Sequence, residues 1–301
     1  MGRRARWTIL VGLLIVVVAY GGVSFLIAQG LTKADRKEQE DHPSAHGLEF
    51  EEVEFAPRGG DGRLSGWYIA GDPARLNVIF VHGLGSKRSG DKAVGIAAGL
   101  VERGYSALLF DLRAHGSSAG GKVSGGYFER LDLLGAFDFL TGRGVPAHRI
   151  GVLGFSMGAA TTVLAAAEEP AVRAIVLDSP YAKASSFIGQ ETARKTVFPE
   201  WIVPIFLPTT RLMLATIYGI NLAAMVPERA VERVDYPILV IHGTGDERIP
   251  FEHGVRVHRA AHAESELWLV ADVDHVDAFI EHPKDYLDRL DRYFTKRLSD
   301  S

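Results

Sequence analysis

A chain of 301 residues with 47% hydrophobic and 23% charged residues has the makeup of a globular protein and a length suited to one large α/β domain. Its net charge of -4, with no basic run beyond Arg3, Arg4 and Arg6, argues against a nucleic-acid partner. The absence of cysteine excludes disulfides, thiolate zinc sites and a cysteine nucleophile, and leaves the redox compartment open.

From the N-terminus, Thr8 to Ala28 runs about 20 residues without a charge, enough to cross a ~30 Å hydrocarbon core as a helix. Residues 1–30 therefore read as a single-pass membrane anchor. A cleaved signal is the alternative, with Gly22-Val23-Ser24 as the better processing site and Leu26-Ile27-Ala28 a poorer one. Arg3, Arg4 and Arg6 precede the span, while Lys33, Arg36 and Lys37 follow it among acids, so an extracytoplasmic catalytic domain at the cell membrane is expected. Residues 31–47 are polar and lack apolar periodicity, as a tether would be. The folded part, 48–301, is expected to begin near Leu48.

Beyond Leu48, short β-branched runs alternate with longer amphipathic stretches, the pattern of a mostly parallel sheet covered by helices. Glu49 to Phe55 and Leu64 to Ala70, joined by the Gly59-Gly60-Asp61-Gly62 turn, read as an antiparallel hairpin. Val78 to Val81, Ala107 to Phe110, Ile150 to Leu153, Ala174 to Leu177, Ile238 to Ile241 and Leu267 to Val270 are apolar runs followed by Gly, Asp or Ser. That gives about eight strands. Helices are expected over Asp91 to Arg103, Phe128 to Leu140, Met157 to Glu168, Phe251 to His262 and Pro283 to Leu298. The stretch between Pro180 and Pro237 exceeds fifty residues, too long for one crossover, and carries prolines at 199, 204, 208 and 227. A helical cap at 181–235, inserted after the sixth strand, accounts for it. Its apolar residues, among them Phe187, Phe198, Trp201, Ile205, Leu212 and Ile217, suit packing onto the core, with a few lining an acyl cleft.

Gly154-Phe-Ser156-Met-Gly158 stands where the strand from Ile150 ends and a helix of small residues begins. This is the context of a nucleophile elbow, in which small neighbours let the serine hydroxyl stand above the sheet. A serine needs a base, and the base needs an acid to hold its tautomer. Asp246 follows the strand Ile238 to Ile241, and His275 follows the strand Leu267 to Val270. The order Ser156, Asp246, His275 places each just beyond a different strand, where sites in open parallel sheets assemble. Asp178 competes as the acid, with Glu247, Asp274 and Asp277 behind it. His82, His115 and His242 compete as the base, although each sits beside Gly or in a tight turn that suits a structural role. The backbone N–H groups of Met157 and, in His82-Gly-Leu-Gly-Ser, of Leu84 are the candidates for an oxyanion hole. His258 and His262 share a helical face but lack a third ligand of suitable spacing, and the Gly-rich loops lack nucleotide-binding spacing, so neither metal nor cofactor is expected.

His82-Gly-Leu-Gly, Asp111-Leu-Arg-Ala-His-Gly-Ser, Gly154-Phe-Ser-Met-Gly, Asp178-Ser-Pro-Tyr, His242-Gly-Thr-Gly-Asp and His275 together resemble the α/β hydrolases, in the branch of monoacylglycerol lipases, serine aminopeptidases and membrane-anchored acyl hydrolases. The resemblance covers almost everything from Leu48 to the C-terminus. It implies an α/β-hydrolase fold with an eight-stranded sheet whose second strand is antiparallel, metal-independent catalysis and an acyl-serine intermediate. It also implies that Asp111, Arg113 and His115 brace loops beneath the site. Ala114 departs from the glycine common at that position. The expected activity is hydrolysis of small-molecule or lipid acyl esters or thioesters, with no obligate protein partner. A serine aminopeptidase or amidase, and a catalytically silent receptor or scaffold, are the alternatives.

Overall fold

The computed structural model describes residues 2–60, 62–186 and 188–299; Asp61 of the expected hairpin turn and Phe187 of the expected cap lie outside them. Among the described residues, eight strands form one sheet: β1 (Glu51–Phe55), β2 (Leu64–Ile69), β3 (Asn77–Val81), β4 (Ser106–Phe110), β5 (Ile150–Phe155), β6 (Ile175–Asp178), β7 (Leu239–Gly243) and β8 (Glu266–Val270). Their order across the sheet is β1-β2-β4-β3-β5-β6-β7-β8. β2 runs antiparallel to both β1 and β4, and every pairing from β4 to β8 is parallel. The central strands β3, β4, β5, β6 and β7 are buried along their whole length, whereas the edge strands β1 and β8 are partly exposed. That difference explains why the inner strands read as unbroken apolar runs.

Two layers of apolar side chains cover the sheet. Helices α3 (Glu129–Gly142) and α4 (Met157–Ala166) contribute Leu133, Phe137, Val163 and Leu164 to one layer. On the other, α2 (Ala93–Val101) supplies Ile96 and Leu100, and the C-terminal helix Pro283–Ser299 supplies Tyr286, Leu290, Tyr293 and Phe294. Close approach sets the composition of these helices. A Cβ on Gly135 of α3 would stand 2.2 Å from the Ala56 carbonyl oxygen, closer than any real contact.

The larger compact unit comprises Ala34–Lys183 and Met225–Ser301. Two boundaries differ from expectation. Residues 225–235 belong to this unit and not to the cap, because Ala230, Val231 and Val234 are buried in its main core. The polar segment expected to be a free tether is ordered against the same unit: Pro43–His46 forms a 3-10 turn closed by Gly47 in the left-handed region. Arg36 donates to the carbonyls of Gly116 (2.7 Å) and Gly120 (2.8 Å).

The second compact unit consists of Met1–Lys33 and Ala184–Ala224. It contains α1 (Arg3–Leu31), α5 (Ile188–Lys195) and α6 (Val203–Tyr218). α1 is long and apolar enough to cross a membrane. Its C-terminal half buries Ser24, Ile27 and Ala28. α6 starts with Pro204 in its first turn and ends at Gly219 with φ 68°, the usual asymmetry of helix ends. Pro208, expected to break the apolar stretch, sits inside α6 instead.

Gly135→Ala is expected to lower stability by about 1–3 kcal/mol through overpacking against Ala56, measured as a fall in the denaturant midpoint with an unchanged m-value.

Candidate active site

Ser156 joins β5 to α4 in a conformation L-residues rarely adopt, with φ 53° and ψ -117°. Such strain costs about 1–3 kcal/mol and persists only when the surroundings over-determine it. Here they do. The Ser156 amide donates to the Asp178 carbonyl at 2.8 Å, and a Cβ on Gly158 would stand 2.0 Å from the Val81 carbonyl oxygen. The elbow glycine is thus required by the approach of α4 to β3, which pushes the serine hydroxyl out over the sheet's C-terminal edge.

The three residues read from the chain order meet there. The Ser156 hydroxyl lies 2.9 Å from His275 Nε2, and His275 Nδ1 lies 2.6 Å from Asp246 Oδ2. Asp246 is buried and its other oxygen, Oδ1, accepts from the amides of Arg248 (2.9 Å) and Ile249 (2.7 Å). Burial alone raises its pKa, but the hydrogen bonds from His242 and His275, the charge of His275 and the Ile249 amide outweigh burial and hold it well below the usual range. Asp178 behaves oppositely. Burial pushes its carboxyl up to about 6, against the hydroxyls of Tyr286 (2.8 Å) and Ser179 (3.0 Å) that bind it. It does not reach His275 by hydrogen bond and serves instead as an anchor for the C-terminal helix.

The competing histidines occupy turns. His82 Nδ1 donates to the Gly83 carbonyl (2.8 Å) and Nε2 accepts from the Leu112 amide (3.0 Å). His115 Nε2 accepts from the Gly85 amide at 3.2 Å while Nδ1 donates to the Arg113 carbonyl at 2.8 Å. His242 is different, and its placement was not legible in the sequence: Nε2 lies 3.1 Å from Asp246 Oδ2 and 2.8 Å from the Ile249 carbonyl. Asp246 therefore takes two imidazoles. The only sequence signal was the i, i+4 spacing of His242 and Asp246 across a glycine-rich turn.

The loop after β3 closes over the serine, and a Cβ on Gly83 would stand 3.2 Å from Ser156 Cβ. The amides of Gly83, Gly85 and Ser86 are committed to Asp91, His115 and the Gly83 carbonyl respectively, leaving that of Leu84. Met157 is the first residue of α4, where the N–H has no intrahelical acceptor. Met157 follows Ser156 directly, and Leu84 lines the same cavity as Ser156. Asp111, fully buried, accepts from the amides of Arg88 (2.8 Å) and Ser117 (3.0 Å), and Arg113 pairs with Asp132 at 2.6 Å.

A cavity of about 210 Å³ opens over Ser156 and His275, lined by Lys37, Glu40, Lys87, Asp91 and Arg248 among others. The side chains that the larger compact unit contributes to its walls include five charged ones. Lys37 and Glu40 come from the segment read as a tether. Gln39 bonds Asp111 (3.2 Å) and the Ser89 amide (3.2 Å), and Lys87 reaches Glu40 (2.7 Å) and the Glu38 carbonyl. Burial raises the pKa of Asp91, opposed by its bonds to the Gly83 amide and Ser86.

A parallel sheet with a single antiparallel excursion, an elbow serine and a His–Asp pair on successive later strands defines a hydrolase of the α/β type. Comparison with known proteins agrees. Residues 77–225 match the model for the alpha/beta hydrolase fold. The uncharacterised protein Rv2307c of Mycobacterium tuberculosis is 30% identical over 240 residues, 78% of this chain and 75% of that one. YfhR of Escherichia coli (strain K12), also uncharacterised, is 28% identical over 244 residues, 78% and 76% of the two chains. The solved structure of the Pyrococcus furiosus esterase Pf2001 superposes with a TM-score of 0.69 at 25% identity, over 88% of this chain and 98% of that one. The chain belongs to the α/β-hydrolase fold family.

Asp246→Asn should lower kcat by about 10⁴-fold, as loss of the acid leaves the wrong tautomer, while Asp178→Asn should leave turnover largely intact; steady-state kinetics of the two variants separate the competing acids. Because the Asp246 pKa is depressed on folding, its contribution to stability is present above the range of a free aspartate. The stability advantage of wild type over Asp246→Asn is expected to be full near neutrality and to shrink as pH falls below about 4, read from denaturant unfolding at each pH.

Proposed function

We propose that the chain is a membrane-anchored carboxylic ester hydrolase that works through an acyl-serine intermediate. The unbroken hydrogen-bond path from Ser156 through His275 to Asp246, at 2.9 and 2.6 Å, carries this reading. In it, the Ser156 oxygen attacks the ester carbonyl as its proton passes to His275 Nε2. Asp246, held ionised, keeps the Nδ1–H directed toward itself and stabilises the imidazolium. The amides of Leu84 and Met157 receive the oxyanion. His275 then gives its proton to the leaving alkoxide, and a water, activated by the same base, releases the acid and restores Ser156.

Ester chemistry fits the cavity better than peptide cleavage from a free amine. Such a substrate needs a carboxylate at liberty to pair with its ammonium. Asp91 is bound by the Gly83 amide and Ser86, and Glu40 by Lys87. The likeness to a protein described as an esterase supports the same choice. The charged walls and the volume of about 210 Å³ favour a short acyl group, of an ester or thioester, at the reacting end. α1 supplies the anchor, and the arginines at positions 3, 4 and 6 ahead of it favour an extracytoplasmic hydrolase unit.

A fluorophosphonate probe is expected to label the full chain and to lose that labelling in Ser156→Ala, with esterase turnover falling about 10⁴- to 10⁶-fold. His275→Ala should abolish turnover comparably. Across a panel of acyl esters, hydrolysis should be strongest for short chains. Labelling that survives loss of Ser156, or hydrolysis of peptides alone, would overturn the proposal.

A further inference from the structure

The length of α1 poses a problem that only its own neighbours solve. The stretch Arg3–Ala19 is exposed throughout, and its charge-free part, Trp7–Ala19, rises about 20 Å at 1.5 Å per residue. A hydrocarbon core is about 30 Å thick. The missing ~10 Å has to come from the next two turns, Tyr20 to Leu26, and there α1 is already flanked by α6. The Tyr20 hydroxyl donates to the Ile205 carbonyl at 2.7 Å, the rings of Tyr20 and Phe206 lie 5.0 Å apart, and the Thr210 hydroxyl lies 3.4 Å from the Ser24 carbonyl. Ile205 to Thr210 keeps step with Tyr20 to Ser24, so the two helices run in the same direction. α6 lies beside the stretch of α1 that must be immersed.

The outward surface of this region suits lipid. Val197, Trp201, Ile205 and Leu212 are 92%, 74%, 57% and 61% exposed, an apolar set that marks an interaction surface. From Pro199 to Tyr218, only Glu200 and Arg211 carry charge. Arg211 follows Thr210 and has a stem long enough to carry its guanidinium to the headgroups.

We propose that α6 is a second membrane element, immersed beside α1 in the acyl and headgroup region of one leaflet to a depth of about 10 Å, with Trp201, Ile205 and Leu212 against lipid. The parallel register puts the N-terminal turn of α6 deepest and Arg211 toward the surface. The proposal rests on α1 being a membrane anchor, and its test separates the two.

The chain has no cysteine, so single replacements Val16→Cys, Ile205→Cys and Leu212→Cys in the full-length protein can each carry an environment-sensitive fluorophore after reconstitution into phosphatidylcholine vesicles. Lipid-borne nitroxide quenchers then report contact with acyl chains. Quenching at 205 and 212 comparable to that at 16 is the expected result. Quenching at 16 with none at 205 or 212 overturns the immersion of α6 and leaves the anchor standing, whether those probes sit in water or are dried by a second copy of the chain. Absence of quenching at all three positions overturns both. Retained fluorophosphonate labelling of each variant shows that it has folded.

Discussion

The approach of α4 to β3 is the constraint on which the site depends. With Gly158 standing where a Cβ would lie 2.0 Å from the Val81 carbonyl oxygen, the chain can turn from β5 into α4 only through a residue at positive φ, and that residue is Ser156. The strain is held in place by parallel pairing on both sides, since β5 lies between β3 and β6. The sheet then fixes where partners can be. The loops after β7 and β8 leave the same edge, so Asp246 and His275 arrive from adjacent parallel strands, and the loop that follows β3 arrives on the other side of the serine.

Much of this was legible because parallel sheets write themselves plainly. Buried on both faces, β3 to β7 read as unbroken apolar runs, and the residue after each run is placed at the reactive edge by topology alone. The order Ser156, Asp246, His275 puts each beyond a different strand, and the side chains lie 2.9 and 2.6 Å apart in sequence from Ser156 through His275 to Asp246. What was not legible depends on side chains that meet through tertiary packing. Arg36, Gln39 and Glu40 sit in a polar stretch without periodicity, indistinguishable by pattern from a free tether. Their ordering comes from carbonyls and a carboxylate, those of Gly116, Gly120 and Asp111, that only the folded loops present. The cap's C-terminal limit failed for a related reason. Pro227 reads as a break, yet it opens a short helix whose Ala230 and the following Val231 and Val234 fill the main core.

The ordered polar segment also changes the electrostatic character of the site. It brings Lys37 and Glu40 to the cavity, and it sets the Glu38 carbonyl and the Glu40 carboxylate around the buried ammonium of Lys87. Lys87 belongs to the same loop as Leu84, and Asp111, which Gln39 contacts, also receives the Arg88 amide. The loop after β3 is thus held from two sides by residues that lie outside the strand-and-helix pattern. The part of the site that the larger compact unit builds carries charged side chains, with Lys37, Glu40, Lys87, Asp91 and Arg248 lining the cavity beside Ser156.

Two buried aspartates at the ends of neighbouring strands stand in opposite electrostatic states. Asp178 ends β6 and Asp246 follows β7, and burial raises the pKa of each. Their partners decide the outcome. Asp178 receives two neutral hydroxyls, which are too weak to offset desolvation, and its carboxyl rises to about 6. Asp246 receives two imidazoles and two backbone amides, and donors of that number and charge favour the ionised form. A triad acid must stay ionised while the adjacent imidazole gains a proton, since its task is to stabilise that charge. Of the two, Asp246 is the one whose surroundings favour the ionised form. His242 gains significance in the same way: it touches no substrate-facing atom, but its bond to Asp246 Oδ2 is part of what keeps that carboxylate ionised and aimed at His275.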